Sequence, residues 1–99
     1  MRDQPLSAVG VQSFLSEHPG WALTAGGALE RTFAFPKFLA GIAFVQAVAA
    51  VAEAHDHHPD LDVRYTRVTV RLFTHDSKAV TARDVKLAGE CDRLAKGSA

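Results

Sequence analysis

The sequence predicts an α+β fold: an antiparallel four-stranded sheet with three helices packed on one face, in the order α-β-β-α-β-β-α. Three observations predict it. Residues 29–35, and residues 63–74 on either side of one break, alternate apolar and polar side chains with a period of two, as half-buried strands do. Residues 36–54 carry apolar side chains at spacings of three and four, the period of a helix. The strand-like runs do not alternate strictly with helices, which favours antiparallel pairing with the helices gathered on one side.

The elements follow in order. Residues 5–18 read as a short helix. Pro5 is tolerated in its first turn, Leu6, Val9, Phe14 and Leu15 share a face, and His18-Pro19-Gly20 ends it. Trp21–Thr24 is a short strand, followed by a turn at Ala25-Gly26-Gly27, where paired glycines accept positive φ. In the next strand Leu29, Arg31, Phe33 and Phe35 face one way, so Arg31 sits at a strand end or reaches along the sheet to an acid.

The long helix, 36–54, presents Phe38, Ile42, Val45, Ala49 and Ala52 as its main stripe, widened by Phe44, Val48 and Val51. A helix apolar on two sides is central or packs against a second subunit. Pro36-Lys37 offers it no good capping side chain. Pro59, Asp60 and Asp62 mark the loop that follows. The run from Val63 to Thr74 breaks parity at Tyr65-Thr66-Arg67-Val68, so it is one bulged strand or two registers around Thr66. Taken as two, the strands number four. His75-Asp76-Ser77-Lys78 is a turn. Thr81-x-x-Asp84 is a capping-box variant that opens the last helix, 82–95, and Gly97 lies just past its end.

The 99 residues amount to a single domain, 1–99, with no linker, repeat or low-complexity stretch. Eleven basic residues balance eleven acidic ones, so neither nucleic-acid binding nor disorder is favoured. One cysteine, Cys91, excludes an intrachain disulfide framework and a Cys-rich metal site, and suits a reducing compartment. The stretch MRDQPLSAVG lacks the apolar run of a signal peptide. Phe38–Ala54 is interrupted by Gly41, Gln46 and Glu53, and at about 17 residues is too short and too mixed for a membrane span. The expectation is a cytoplasmic protein with no nucleic-acid or membrane partner.

Four of the five histidines fall between residues 55 and 75. They belong to an ordered pattern, Glu53-x3-His57-His58-Pro59-x5-Tyr65-x9-His75-x8-Asp84. Glu53 and His57 are four apart, on one helical face if the helix extends that far. His57 and His58 are adjacent and must point apart. His75 ends a strand and Asp84 opens a helix. Three readings fit these residues. His55, His57, His58 and His75 with Glu53 offer metal ligands, but not at the spacing of HExxH or paired cysteines. The cluster also fits a solvated histidine-rich loop. The third reading is metal-free acid–base chemistry, in which one imidazolium donates a proton and a neutral imidazole accepts one near neutral pH. No nucleophile elbow, phosphate-binding glycine loop or dinucleotide fingerprint is present.

This pattern resembles the signature of the pterin-4a-carbinolamine dehydratases. The resemblance extends to Trp21, to Leu29-x-Arg31-x-Phe33-x-Phe35-x-x-Phe38, to Val68-x-Val70-x-Leu72-x-Thr74-His75 and to Leu87-Ala88, over about residues 6–95. It implies dehydration of 4a-hydroxytetrahydrobiopterin (pterin-4a-carbinolamine) to quinonoid dihydropterin and water in tetrahydrobiopterin recycling, with no metal and no cofactor. Carried over, His57, His58 and His75 are the catalytic residues, with His58 the leading acid–base group and the other two binding and polarising the pterin. Glu53, Asp56, Thr74 and Asp84 fall to substrate binding, and Asp84 reads equally as a helix cap. The family also implies a homodimer or homotetramer.

Four positions depart from the pattern. Leu61 replaces an aromatic of the animal members and leaves one pocket wall less able to stack on a ring. Phe73 replaces a small polar residue, so contact there is expected through backbone. Ala79 stands where a turn glycine is common and Lys37 where an acidic cap is frequent. Two alternatives accompany the dehydratase reading. One is a protein-binding dimerisation cofactor, or transcriptional coactivator-like module, docking through Phe44, Val48 or Val51. The other is a different pterin step such as one in molybdopterin metabolism.

Overall fold

The computed structural model describes residues 4–98 as α1 (Ala8–Glu17), β1 (Ala22–Leu23), β2 (Leu29–Ala34), α2 (Phe38–His55), β3 (Asp60–Arg64), β4 (Arg67–Leu72) and α3 (Ala82–Ser98). The four strands form one antiparallel sheet in the order β1-β2-β4-β3. The predicted α-β-β-α-β-β-α arrangement is the observed one.

Helix α1 begins at Ala8, later than Pro5. The Leu6 N–H is spent on the Val80 carbonyl (2.8 Å), and Ser7 caps the helix by accepting from the Gly10 N–H (3.0 Å). Its buried residues are Val11 and Phe14, whereas Val9, expected on the apolar face, is 77% exposed. β1 is shorter than predicted because the N–H groups on either side of it serve turns, Trp21 to His18 and Thr24 to Ala28. β2 and β4 run in register from Leu29↔Leu72 to Ala34↔Arg67.

The break at Tyr65-Thr66 is a tight hairpin turn. Tyr65 takes φ 52°, and Arg64 and Arg67 pair directly across it. Two registers are therefore correct and a single bulged strand is not. Asp60 and Asp62, expected in a loop, lie in β3 opposite Arg71 and Thr69.

One sheet face is apolar. Leu29, Phe33, Val68, Val70 and Leu72 point from it into the core, where they meet Phe44, Val48 and Ala52 of α2 and Leu87, Ala88 and Cys91 of α3. The other face is polar, with a Thr32–Thr69 hydroxyl pair (2.8 Å) and an Arg71–Glu30 bond (2.7 Å). Arg31, on the apolar side, reaches Asp92 of α3 (2.9 Å), and Trp21 Nε1 donates to the same carboxylate (2.9 Å). Reach to an acid resolves the position of Arg31.

Helix α2 corrects the predicted stripe. Its buried residues are Gly41, Phe44, Val48 and Ala52. Phe38 and Leu39 are 44% and 71% exposed. Phe44 and Val48 have no exposed surface, so neither is available to dock a partner. The helix has 18 residues at a mean hydropathy of 1.6, long and apolar enough by length and composition to cross a membrane, contrary to the sequence estimate. Here its buried face seats on the sheet and on α3. As expected, Lys37 precedes it with no side-chain cap. Helix α3 runs through Gly97, which was expected beyond its end.

Candidate active site

The three predicted histidines meet at one end of the sheet, where the last turn of α2 approaches the end of β4 and the start of α3. Helix α2 stops at His55 because Asp56 turns left-handed (φ 50°, ψ 44°). The His57 N–H then donates back to the Ala52 carbonyl (3.1 Å). That reversal separates the adjacent histidines.

His57 turns inward and is 8% exposed, with Nε2 2.6 Å from Asp84 Oδ1. His58 stays at the surface, with Nε2 2.6 Å from Glu53 Oε1. A carboxylate accepts, so each Nε2 carries the proton and each Nδ1 is the acceptor of the neutral ring.

Asp84 is fully buried. Its Oδ2 accepts from the Thr74 hydroxyl (2.7 Å) and from the Thr81 N–H (2.9 Å), and the two threonine hydroxyls lie 2.8 Å apart. The capping box is therefore real, and the same carboxylate also orients His57. A buried anion with three donors around it is well satisfied. The next residue back, Arg83, donates from Nη2 to the carbonyl of Asp56 (2.7 Å).

His75 extends from the chain just beyond β4 and is exposed. A tight loop holds it, with Ser77 N–H donating to the Thr74 carbonyl and Lys78 N–H to that of His75 (both 3.2 Å). The left-handed residue of the loop is Lys78 (φ 53°), so alanine at 79 is no obstacle.

A cavity of about 210 Å³ opens between these segments. His57, His58 and His75 line it together with Asp56, Asp76, Phe73 and Thr74. Glu53 and Asp84 do not line it; they stand behind His58 and His57. The Phe73 side chain was not expected there, yet its ring is a wall of the cavity, 5.2 Å from that of His75 at an interplanar angle of 72°. Leu61 packs against the core instead. His55 is exposed and outside the cavity. Sequence reasoning missed Thr81 as a partner of Thr74, and missed Arg83 and the side chain of Phe73. Only Thr81 carried a signal, its place in the capping box.

A larger groove of about 700 Å³ lies between α1, β2 and α3. In its lining Arg31 pairs with Asp92, and Arg93 pairs with Glu90, which stands outside the groove. The smaller cavity holds the convergent imidazoles. Among the described residues no group of three or more His, Cys, Asp or Glu is arranged to hold a metal ion.

The sequence profile of the pterin 4 alpha carbinolamine dehydratases matches residues 4–94. The chain belongs to this family. A relative in Mycolicibacterium smegmatis, provisionally named a pterin-4-alpha-carbinolamine dehydratase, is 46% identical over 90% of this chain and 94% of its own. One in Chloroflexus aggregans with the same provisional name is 43% identical over 90% and 95%. Among solved structures, a transcriptional coactivator/pterin dehydratase from Brucella melitensis superposes with a TM-score of 0.89 at 33% identity, covering 93% of this chain and 99% of that one. A pterin dehydratase-like protein identified as a RuBisCO assembly factor in the alpha-carboxysome gives 0.68 at 26% identity, covering 79% and 92%. The dehydratase fold is thus shared by proteins named for different tasks.

Proposed function

We propose that this protein dehydrates 4a-hydroxytetrahydrobiopterin, or a close pterin carbinolamine, by histidine acid–base catalysis. The observation that carries the reading is the cavity itself: three imidazoles around one space, two of them backed by carboxylates. Dehydration requires one proton delivered to the departing 4a hydroxyl and one removed from the adjacent ring nitrogen. The C–O bond breaks, water leaves and a C=N bond forms. Imidazoles supply both roles near neutral pH, and each is worth roughly 10²–10⁴-fold in rate.

His58 is the leading acid–base residue. It is solvent-accessible, and its Nε2 lies 2.6 Å from Glu53 Oε1, which orients the ring. His57, held by buried Asp84, and His75, beside Phe73, bind and polarise the ring. Asp56 and the backbone near Thr74 meet the polar pterin edge. The Thr74 hydroxyl itself is engaged by Asp84 and Thr81. The test is the rate of carbinolamine dehydration with wild-type protein and with His58→Ala. The expected result is a wild-type rate well above buffer and a loss of about 10²-fold or more in the variant. A wild-type rate no greater than buffer rejects the proposal, and activity confined to another pterin would move it to a different pterin step.

Phe38 and Leu39 favour a second, compatible role in association. These large apolar side chains are exposed at the start of α2, and a second copy of the chain in a homodimer or homotetramer would cover them.

A further inference from the structure

Arg83 borders the site without lining the cavity. It is the second residue of α3, next to Asp84. Besides its 2.7 Å bond to the Asp56 carbonyl, its Nη2 lies 3.4 Å from the carbonyl of His55. These are carbonyls at the end of α2, which have no partner within the helix and lie where the helix dipole concentrates negative charge.

The turn they belong to needs holding. Asp56 is left-handed, a conformation that carries a steric cost for any residue with a Cβ. Among the described residues, two backbone donors inside the turn close it, Asp56 N–H to the Glu53 carbonyl (3.2 Å) and His57 N–H to that of Ala52 (3.1 Å). Yet this turn sends His57 inward to Asp84 and leaves His58 outside on Glu53. Neighbouring residues of α3 thus grip one short segment in two ways. Asp84 holds the imidazole of His57, and Arg83 holds the backbone that carries both histidines.

We infer that Arg83 is a positioning residue for the histidine pair: its guanidinium locks the left-handed exit turn of α2 and so sets the directions in which His57 and His58 leave it. A planar guanidinium with several donors in a fixed fork suits adjacent carbonyls, whereas a lysine offers one compact charge on a flexible stem. The kinetic consequence rests on the dehydratase reading; the structural one does not.

The experiment uses the full chain with Arg83→Met and Arg83→Lys. It reads amide hydrogen exchange, imidazole nitrogen NMR signals and steady-state dehydration. In Arg83→Met, exchange at Asp56 and His57 accelerates by about tenfold or more while the amides of β4 stay protected, the signature of local opening. The imidazole signals of His57 and His58 shift. The kcat falls about 10- to 100-fold, as displaced catalytic groups require, with KM nearly unchanged. Arg83→Lys lies between the two.

Wild-type exchange at both amides overturns the inference. So does a raised KM at unchanged kcat, which would place the guanidinium on the substrate. If Arg83→Met does not fold, Arg83→Lys decides alone: faster exchange at Asp56 and His57 supports the inference and unchanged exchange overturns it. A wild-type protein without dehydration activity would reject the dehydratase reading, and the exchange and imidazole results would still decide the role of Arg83.

Discussion

Asp84 joins three segments through one carboxylate. Oδ2 serves Thr74 and the Thr81 backbone, and Oδ1 serves His57. Every neighbour is a donor, so an amide there would turn its NH2 toward another donor. Asp84→Asn is expected to destabilise the protein by roughly 1–3 kcal/mol, the cost of a mismatched buried polar group. Thermal unfolding would show it as a drop of several degrees. Dehydration should slow with it, because His57 loses the acceptor that fixes its tautomer. Unchanged melting and turnover would show that the negative charge at Asp84 is dispensable. Half of this arrangement was legible in the sequence. The bond to Thr81 spans three residues and follows from the capping pattern. The bond to His57 spans 27 residues, and no local rule anticipates it.

At the scale of elements, α2 and α3 differ in how much their patterns reveal. Helix α3 has a clear apolar side: its spacing offers Val85, Leu87, Ala88, Cys91 and Leu94, of which Leu87, Ala88 and Cys91 are buried and Val85 and Leu94 partly so. Helix α2 is apolar nearly all round. Its periodicity admits more than one inward face: of the main stripe chosen from spacing only Ala52 is buried, while Phe44 and Val48, read as widening it, form the inward face. Phe44 and Val48 won because they oppose Phe33, Phe35 and Val68 in one cluster.

The buried face of α3 carries a pH prediction. Burial first, then the charges of Asp92 and Glu90, push the Cys91 thiol from its usual 9.0 up to about 12. A raised folded-state value favours the neutral thiol, so its contribution to stability is intact below about pH 9 and is lost as pH rises toward 12. Denaturant unfolding of wild type and Cys91→Ala at several pH values would test this. The stability gap between them should narrow above pH 9, and a gap constant to pH 11 would contradict it.

At the scale of the whole molecule, the chain builds its core on one sheet face and leaves apolar surface at the start of α2. Leu39 is 71% exposed and Phe38 44%. A domain of this size buries only about 65% of its unfolded surface and gains from covering more. Light scattering is expected to report a dimer or tetramer for the wild-type chain. Leu39→Glu should shift it toward monomer, since a carboxylate buried without a partner is costly. A wild-type monomer would remove self-association as the reason for this exposed surface.

By itself the sequence determined the helices and strand-like runs in their order, the break in parity near Thr66, the helix start at Thr81 and the set of histidines. All of these depend on residues within a few positions of one another, where periodicity, capping and turn chemistry act. Tertiary structure alone decided which face of α2 is inside, that Arg83 reaches the end of α2, and that His75 faces the same space as His57 and His58. Those outcomes depend on contacts between segments far apart in the chain, set by how the helices pack on the sheet, and no local pattern encodes them.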